Sequence, residues 1–186
     1  MPVIPYQPFD IQAPKELVSA IRERRGGILL NLDRMLLHSP AFASGWNNFL
    51  GAVRNSLSLP GTVRELSICT VAILNSAEYE FIQHAPEFIK AGGRQDQLDA
   101  LQKIQDEEPD SAFFSPREIA VIHLSIEMTR NVKVESTIMD AAKNALDNYQ
   151  QLMELVGVIA TYNMVSRYLV AMGIEPEEGE AKDDFS

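Results

Sequence analysis

The sequence predicts an all-α protein, and three observations lead to this prediction. Its 186 residues are 46% hydrophobic and 23% charged, a composition that suits a globular chain with a sizeable core. The apolar residues recur at helical spacing along almost the whole chain, with no run that alternates as a strand would. The residues between the periodic segments are those of helix caps, such as Ser115 and Gly173, and not those of hairpin turns.

Composition at the two ends predicts how the chain is organised. Prolines at positions 2, 5 and 8 precede any periodic pattern, so residues 1–13 are expected to form an extended arm. Residues 175–186 are acidic and aperiodic, which is typical of a flexible tail. Residues 14–174 are therefore predicted to form a single helical domain.

Charge and cysteine content restrict the class of protein. The formal net charge of −10 argues against a general affinity for nucleic acid. The single cysteine, Cys69, permits no intramolecular disulfide, and the sequence contains no apolar run of signal-peptide or membrane-span length. We expect a cytoplasmic protein that binds neither nucleic acid nor a membrane.

The predicted helix boundaries rest on capping residues. Helices are expected to start after Ser39, at Asn75 or Ser76, after Ser115 and near Asn148. A further helix, between the first two of these, is expected to have Pro60 in its first turn. Proline is favoured in a first turn because its missing N–H would be unpaired there anyway. The sequences from Asn75 to Glu78 and from Ser115 to Glu118 have capping-box spacing. Glycines at positions 92 and 173 are expected to end their helices, because glycine readily adopts a left-handed cap.

Two of these helices are predicted to lie at the centre of the domain. Residues 66–74 read LSICTVAIL, and residues 151–165 read QLMELVGVIATYNMV. A helix that is apolar on every side is expected to be buried on every side. Each run is preceded or opened by a glutamate, Glu65 and Glu154 respectively.

Glu65 is the first candidate for chemistry. A carboxylate at the entrance to a buried helix must be paired, hydrogen-bonded or protonated, because an isolated buried charge is costly. Burial without a nearby cation would raise its pKa. The structural interpretation is that Glu65 only pairs with an arginine, for example Arg64.

His84 and Glu80 are the second candidates. They stand four residues apart, so they share one helix face, and the carboxylate of Glu80 could orient the imidazole and fix its tautomer. Such a histidine suits proton transfer near neutral pH. Pro86 is expected to kink this helix just after His84. The alternative is an exposed Glu–His pair worth a few tenths of a kcal/mol.

The remaining histidines predict no further site. His38 is expected to have a helix-end role, and His123 to be packed or partly exposed on an amphipathic helix. The histidines are scattered without the spacing of metal ligands, so no metal is expected. A phosphate-cradling glycine loop and a dinucleotide fingerprint are both missing from the sequence, so no cofactor is expected.

The stretch RELSICTVAILNSAEYEFIQHAPEFIKAG resembles the core motif of the carboxymuconolactone decarboxylase superfamily, which includes the alkylhydroperoxidase D-like proteins. The resemblance continues through DRMLLHSPAF, FSPREIAVIHLSIEMTR and TYNMVSRYLVAMGIE, over roughly residues 30–175. This order of segments is similar to the longer, decarboxylase-like branch. It implies a compact alkylhydroperoxidase D-like helical fold.

The resemblance also indicates which chemistry to discount. The peroxidase branch has a glutamate, a Cys-x-x-Cys pair, and a histidine four residues beyond the second cysteine. Glu65 and His84 match the glutamate and the histidine, but Ala77 and Glu80 stand at the cysteine positions. Reduction of a peroxide needs an attacking and a resolving thiol. We therefore expect no Cys-x-x-Cys peroxidase activity, and a one-cysteine route through Cys69 is disfavoured.

What the resemblance implies instead is a cofactor-independent lyase. A decarboxylase of this type would act on a small carboxylated lactone or related organic acid, with His84 transferring a proton, Glu80 orienting it and Glu65 tuning the site. Family-like position suggests Arg64 and Arg167 as the cations that hold the substrate carboxylate, and Tyr162 and Asn163 could donate hydrogen bonds to the substrate from the last helix. The superfamily also implies a homo-oligomer. The alternative is a non-catalytic, oligomeric binding protein on the same scaffold.

Overall fold

The computed structural model describes residues 1–179, which contain nine α-helices and no strand. The all-α prediction is confirmed. In chain order the helices are α1 (Lys15–Arg24), α2 (Asn31–Leu36), α3 (Pro40–Asn55), α4 (Gly61–Leu74), α5 (Glu78–Lys90), α6 (Gln95–Leu101), α7 (Pro116–Arg130), α8 (Ser136–Ala145) and α9 (Tyr149–Met172). They fall into two compact units, one of residues 1–57 with the described residues from 171 onward, and one of residues 58–170.

The first unit contains α1 to α3, the N-terminal residues and the described residues from 171 to 179. Residues 1–13 form no helix, and they bond to this same unit: Val3 N donates to Met172 O at 3.0 Å. The Arg34 guanidinium lies 3.6 Å from the centre of the Phe9 ring. At the other end the Glu177 carboxylate accepts a hydrogen bond from Asn31 N at 2.7 Å. Of the predicted tail, residues 180–186 lie outside the described residues.

The second unit is built around α4. Every residue of α4 from Glu65 to Ile73 is buried, and the helix packs against α5, α6 and α7. This confirms the expectation that a helix apolar on all sides is buried on all sides. Helix α4 therefore presents Glu65 to the interior and not to solvent.

Helix α9 departs from that expectation, because only part of its surface is buried. Leu155, Val158 and Tyr162 are fully buried, whereas the Met153 and Met164 side chains are 66% and 40% exposed. Helix α9 is long and apolar enough to cross a membrane, as core helices of soluble proteins also can be. Half of its most apolar 18-residue segment is buried inside the protein.

Most predicted caps are confirmed. Glu118 N donates to Ser115 Oγ at 3.3 Å, and Ser115 N donates to the Glu118 carboxylate at 2.7 Å, which is the predicted capping box. Gly92 and Gly173 have φ values of +105° and +62° just beyond the ends of α5 and α9. Pro60 takes the cap position immediately before α4.

The predicted start of α5 was wrong. The helix begins at Glu78, with Ala77 as its cap, and not at Asn75 or Ser76. The backbone of Ser76 and Ala77 closes the end of α4 by bonding to the carbonyls of Ile73 and Ala72, with Ser76 at a left-handed φ of +51°. Asn75 and Ser76 therefore belong to the end of α4, and only Ala77 takes part in both helix ends.

Helix α5 is followed by a tight approach between Gly93 and the fully buried Phe88. A Cβ atom on residue 93 would lie 2.3 Å from the Phe88 ring. We expect Gly93→Ala to lower the free energy of unfolding by about 2 kcal/mol, because a packed ring cannot move away without strain. Urea denaturation followed by circular dichroism measures this change.

Gly157→Ala is the matched control. Gly157 lies inside α9 on an exposed face, and a Cβ atom added there would have no other side chain within 4 Å. Alanine should stabilise that helix by up to about 1 kcal/mol. Equal effects of the two substitutions would contradict the proposed clash at Gly93.

Candidate functional site

The centre of the candidate site is His84, a residue of α5 that is only 7% exposed. Its Nδ1 atom lies 2.7 Å from Oε2 of Glu65 on α4. The His84 ring and the Tyr162 ring of α9 pack edge to face, with centroids 4.9 Å apart and planes at 85°. Three helices therefore fix the position of this imidazole.

Glu65 is bonded through both carboxylate oxygens. Oε2 contacts His84, and Oε1 accepts a hydrogen bond from Arg64 Nε at 3.0 Å. Burial raises the pKa of Glu65, but the hydrogen bonds and charges of His84 and Arg64 outweigh it, so the pKa lies below its ordinary value. Glu65 is therefore ionised at neutral pH. Its predicted pairing with Arg64 is present, and the contact to His84 adds to it.

The carboxylate that bonds to Nδ1 of His84 comes from another helix. The sequence suggested Glu80 as the residue that orients His84, and the structure brings Glu65 to Nδ1. Glu80 is 2% exposed, and its Oε1 lies 2.9 Å from Ser166 Oγ of α9. Spacing within one helix indicated the nearer residue in sequence, whereas packing of α4 on α5 supplies the partner 19 positions away.

Ser166 was missed by sequence reasoning. It is fully buried, and its hydroxyl contacts both Glu80 and the carbonyl oxygen of Tyr162. The available signal was a small polar residue on the predicted core helix, but such residues usually bond only to their own backbone. A contact to a carboxylate on another helix cannot be read from that pattern.

Cys69 lies on α4 and is fully buried. Burial, together with the negative charges of Glu65 and Glu80, raises the pKa of its thiol well above the ordinary value. The thiolate is the form that attacks a peroxide. The environment of Cys69 thus opposes the charge that such chemistry needs.

The four predicted binding residues divide into two groups. Arg64 and Tyr162 contact the Glu65–His84 pair directly. Asn163 and Arg167 instead bond to each other, with Arg167 Nη1 donating to Asn163 Oδ1 at 2.7 Å.

The Asn163 amide is fully occupied by protein groups. Its nitrogen donates to Thr129 Oγ1 at 3.0 Å and to the Ile159 carbonyl at 3.1 Å. Its oxygen accepts from Asn75 Nδ2 at 3.1 Å and from Arg167. Two donors and two acceptors are all that an amide offers. Asn163 therefore joins α9 to α7 and to the turn between α4 and α5.

The other candidate groups lie elsewhere. His38 Nε2 lies 2.8 Å from the carbonyl of Pro5, and His123 Nε2 lies 3.1 Å from the carboxylate of Glu108. Within residues 1–179, histidine, cysteine and acidic side chains form no cluster of three or more that could hold a metal ion.

The geometry defines what the site can do. Because ionised Glu65 accepts a hydrogen bond from Nδ1, that nitrogen carries a proton and the tautomer of His84 is set. Proton exchange with a ligand then falls to Nε2. A buried carboxylate that holds an imidazole in this way orients it and stabilises its protonated form, as in other acid–base sites.

Residues 40–107 match the model of the carboxymuconolactone decarboxylase family, and this segment contains Glu65, Glu80 and His84. No curated protein matches the sequence.

Several solved structures share the fold. An uncharacterized peroxidase-related protein from Silicibacter sp. TM1040 matches with a TM-score of 0.77 at 16% identity, over 100% of this chain and 98% of its own. An alkylhydroperoxidase AhpD core protein from Ralstonia eutropha JMP134, also peroxidase-related, matches with a TM-score of 0.77 at 16% identity, covering 93% and 92%. A debrominase, Bmp8, in complex with 2,3,4-tribromopyrrole matches with a TM-score of 0.73 at 14% identity, covering 96% and 95%.

At these identities the structural likeness shows the fold alone. The match to the carboxymuconolactone decarboxylase family covers residues 40–107, less than half of the chain, and this is the part that carries the Glu65–His84 pair.

Proposed function

We propose that this protein is a cofactor-independent acid–base enzyme of the carboxymuconolactone decarboxylase type. Its substrate is a small carboxylated lactone or a related organic acid, and His84 transfers the proton. The observation that carries the proposal is the buried 2.7 Å hydrogen bond between His84 Nδ1 and Glu65, whose second oxygen is held by Arg64.

The reaction requires a proton donor at carbon. Loss of carbon dioxide breaks the bond between the substrate carbon and its carboxylate, and the electron pair enters the conjugated system as a dienolate. Protonated His84 gives the proton of Nε2 to the dienolate carbon and regains one from water. Glu65 stays ionised and stabilises the imidazolium before the transfer.

Arg64 is the proposed anchor for the substrate anion. Its side chain is 20% exposed, and its Nε is the atom that bonds to Glu65. The guanidinium carries four further N–H groups on its terminal nitrogens, in a geometry that matches a carboxylate. One side chain can thus contact both the substrate and the carboxylate that orients His84.

Burial and the surroundings of Cys69 bear on the two alternatives. A non-catalytic binding protein would be favoured if Glu80 and His84 lay on an open surface, or inside a well-packed subunit contact without a cavity. Their exposures of 2% and 7% argue against the open surface. A thiol peroxidase would need a reactive cysteine, but Cys69 is fully buried beside two acidic residues, and Ala77 and Glu80 replace the cysteine pair.

The first prediction concerns turnover. With small lactone monocarboxylic acids and the dicarboxylate carboxymuconolactone as probes, we expect carbon dioxide release from at least one of them, and in D₂O one deuterium at the protonated carbon of its product. His84→Gln and Glu65→Gln should each lower kcat by about 10² to 10⁴-fold, because they remove the proton donor or its orientation.

His123→Gln is the control, because it changes a histidine that bonds to Glu108 on the surface. All variants should keep their helical dichroism. Full activity in both site variants would contradict the proposal. It would also be contradicted if wild type decarboxylated none of the probes and introduced deuterium into none of them.

The second prediction concerns Cys69. We expect Cys69→Ser to keep the decarboxylase activity within a few-fold, and neither protein to consume a peroxide with a thiol reductant. The measurement is peroxide loss over time with dithiothreitol present. Thiol-dependent turnover that disappears in Cys69→Ser would establish peroxidase chemistry instead.

The third prediction concerns acid stability. The pKa of Glu65 is lower in the folded than in the unfolded chain. Ionised Glu65 therefore adds to the free energy of unfolding at neutral pH, and this stabilisation is lost as pH falls through the folded-state pKa. Glu65→Gln should cost about 3 kcal/mol of unfolding free energy at pH 7, since it removes the buried charge that bonds to both His84 and Arg64.

Urea denaturation of both proteins across the acid range measures this difference, which should shrink as pH falls. A difference that stays constant from neutral to strongly acidic pH would show that Glu65 is not ionised in the folded protein.

A further inference from the structure

The contacts of Ser166 indicate whether the neighbouring carboxyl group of Glu80 carries a proton. Its Oγ lies 2.7 Å from the carbonyl oxygen of Tyr162 and 2.9 Å from Oε1 of Glu80. A carbonyl can only accept, and a hydroxyl has one proton to give. Both contacts are full hydrogen bonds only if Ser166 donates to Tyr162 and the carboxyl group of Glu80 donates to Ser166.

The surroundings of Glu80 favour the same state. Glu80 is 2% exposed and Ser166 is fully buried, so an ionised carboxylate there would be stripped of water. The ionised Glu65 belongs to the same neighbourhood, since both carboxylates act on the buried Cys69 thiol. Two carboxylates that share a site do not both ionise easily. The other ionisable groups at the site include Arg64, Cys69, His84 and Tyr162.

We infer that Glu80 is a neutral carboxylic acid in the folded protein at neutral pH, and that its proton is held between Glu80 Oε1 and Ser166 Oγ. The inference rests on the two contacts of one hydroxyl and not on the reaction. Glu80 then serves as a hydrogen-bond donor within the site, at the position where the peroxidase branch has a thiol.

This state sets the charge that a ligand meets. Arg64 and protonated His84 contribute two positive charges, Glu65 contributes one negative charge, and neutral Glu80 contributes none, which leaves one positive charge. A substrate with one negative charge neutralises the site, whereas a dicarboxylate leaves an excess of negative charge. This net charge points to a small monocarboxylate as the substrate class, a conclusion that rests on the proposed function.

Infrared difference spectroscopy tests the protonation directly and needs no substrate. Wild type at neutral pH should show the C=O stretching band of a protonated carboxylic acid, and Glu80→Gln should lack it. Glu154→Gln is the matched control, because the buried Glu154 accepts hydrogen bonds from Ser58 and Leu59 N, and its pKa is lowered. It should leave the band unchanged.

A missing band in wild type, or a band that survives Glu80→Gln, would overturn the inference. If Glu80→Gln does not fold, carbon-13 NMR of wild type with labelled glutamate tests the inference instead. One buried carboxyl carbon should then keep the chemical shift of a protonated carboxylic acid at neutral pH, and its absence would overturn the inference. These readouts are independent of turnover, so an inactive protein with the band would reject the proposed function only.

The charge argument has its own test. Matched small monocarboxylates and dicarboxylates, titrated into wild type by NMR, should differ by at least about tenfold in Kd in favour of the monocarboxylate. Equal or reversed affinities would reject the substrate class, even if the band identifies Glu80 as protonated.

Discussion

The hydrogen bond between Glu65 and His84 is the interaction on which the site depends. It crosses from α4 to α5, it is buried, and it involves a charge that the interior tolerates only because Arg64 and His84 compensate for it. The position of α5 relative to α4 is therefore constrained by more than apolar packing, because any slip between them would leave an unpaired charge in the core. The same contact that stabilises the two helices sets the tautomer of the imidazole.

Much of the fold could be predicted from sequence, because helix caps and apolar periodicity are local. Ser115, Gly92 and Gly173 have the roles that their residue types favour. The start of α5 could not be predicted, because Asn75 and Ser76 suit either the end of one helix or the start of another, and the backbone pairing of α4 decides between them.

The candidate site was predicted as a set of residues but not as a network. Local spacing brought Glu80 and His84 together, and the position of Glu65 at the start of a buried apolar run singled out that residue. Which carboxylate bonds to Nδ1 depends on how α4 packs on α5, and that Ser166 contacts Glu80 depends on the placement of α9. Both contacts are tertiary, so neither leaves a periodic trace in the sequence. The resemblance implies a thiol at position 80 in the peroxidase branch, and under the proposed function the carboxyl group found there would serve proton transfer on the same scaffold.

The saturated amide of Asn163 has a consequence for how the site works. It ties α9 to α7 through Thr129 and to the turn between α4 and α5 through Asn75. That turn joins the helices that carry Glu65 and His84, so an amide with all its hydrogen-bonding groups in use holds the two side chains in place. Under the proposed function, the proton donor would thus be positioned before a ligand binds, and no binding energy would be needed to assemble the site.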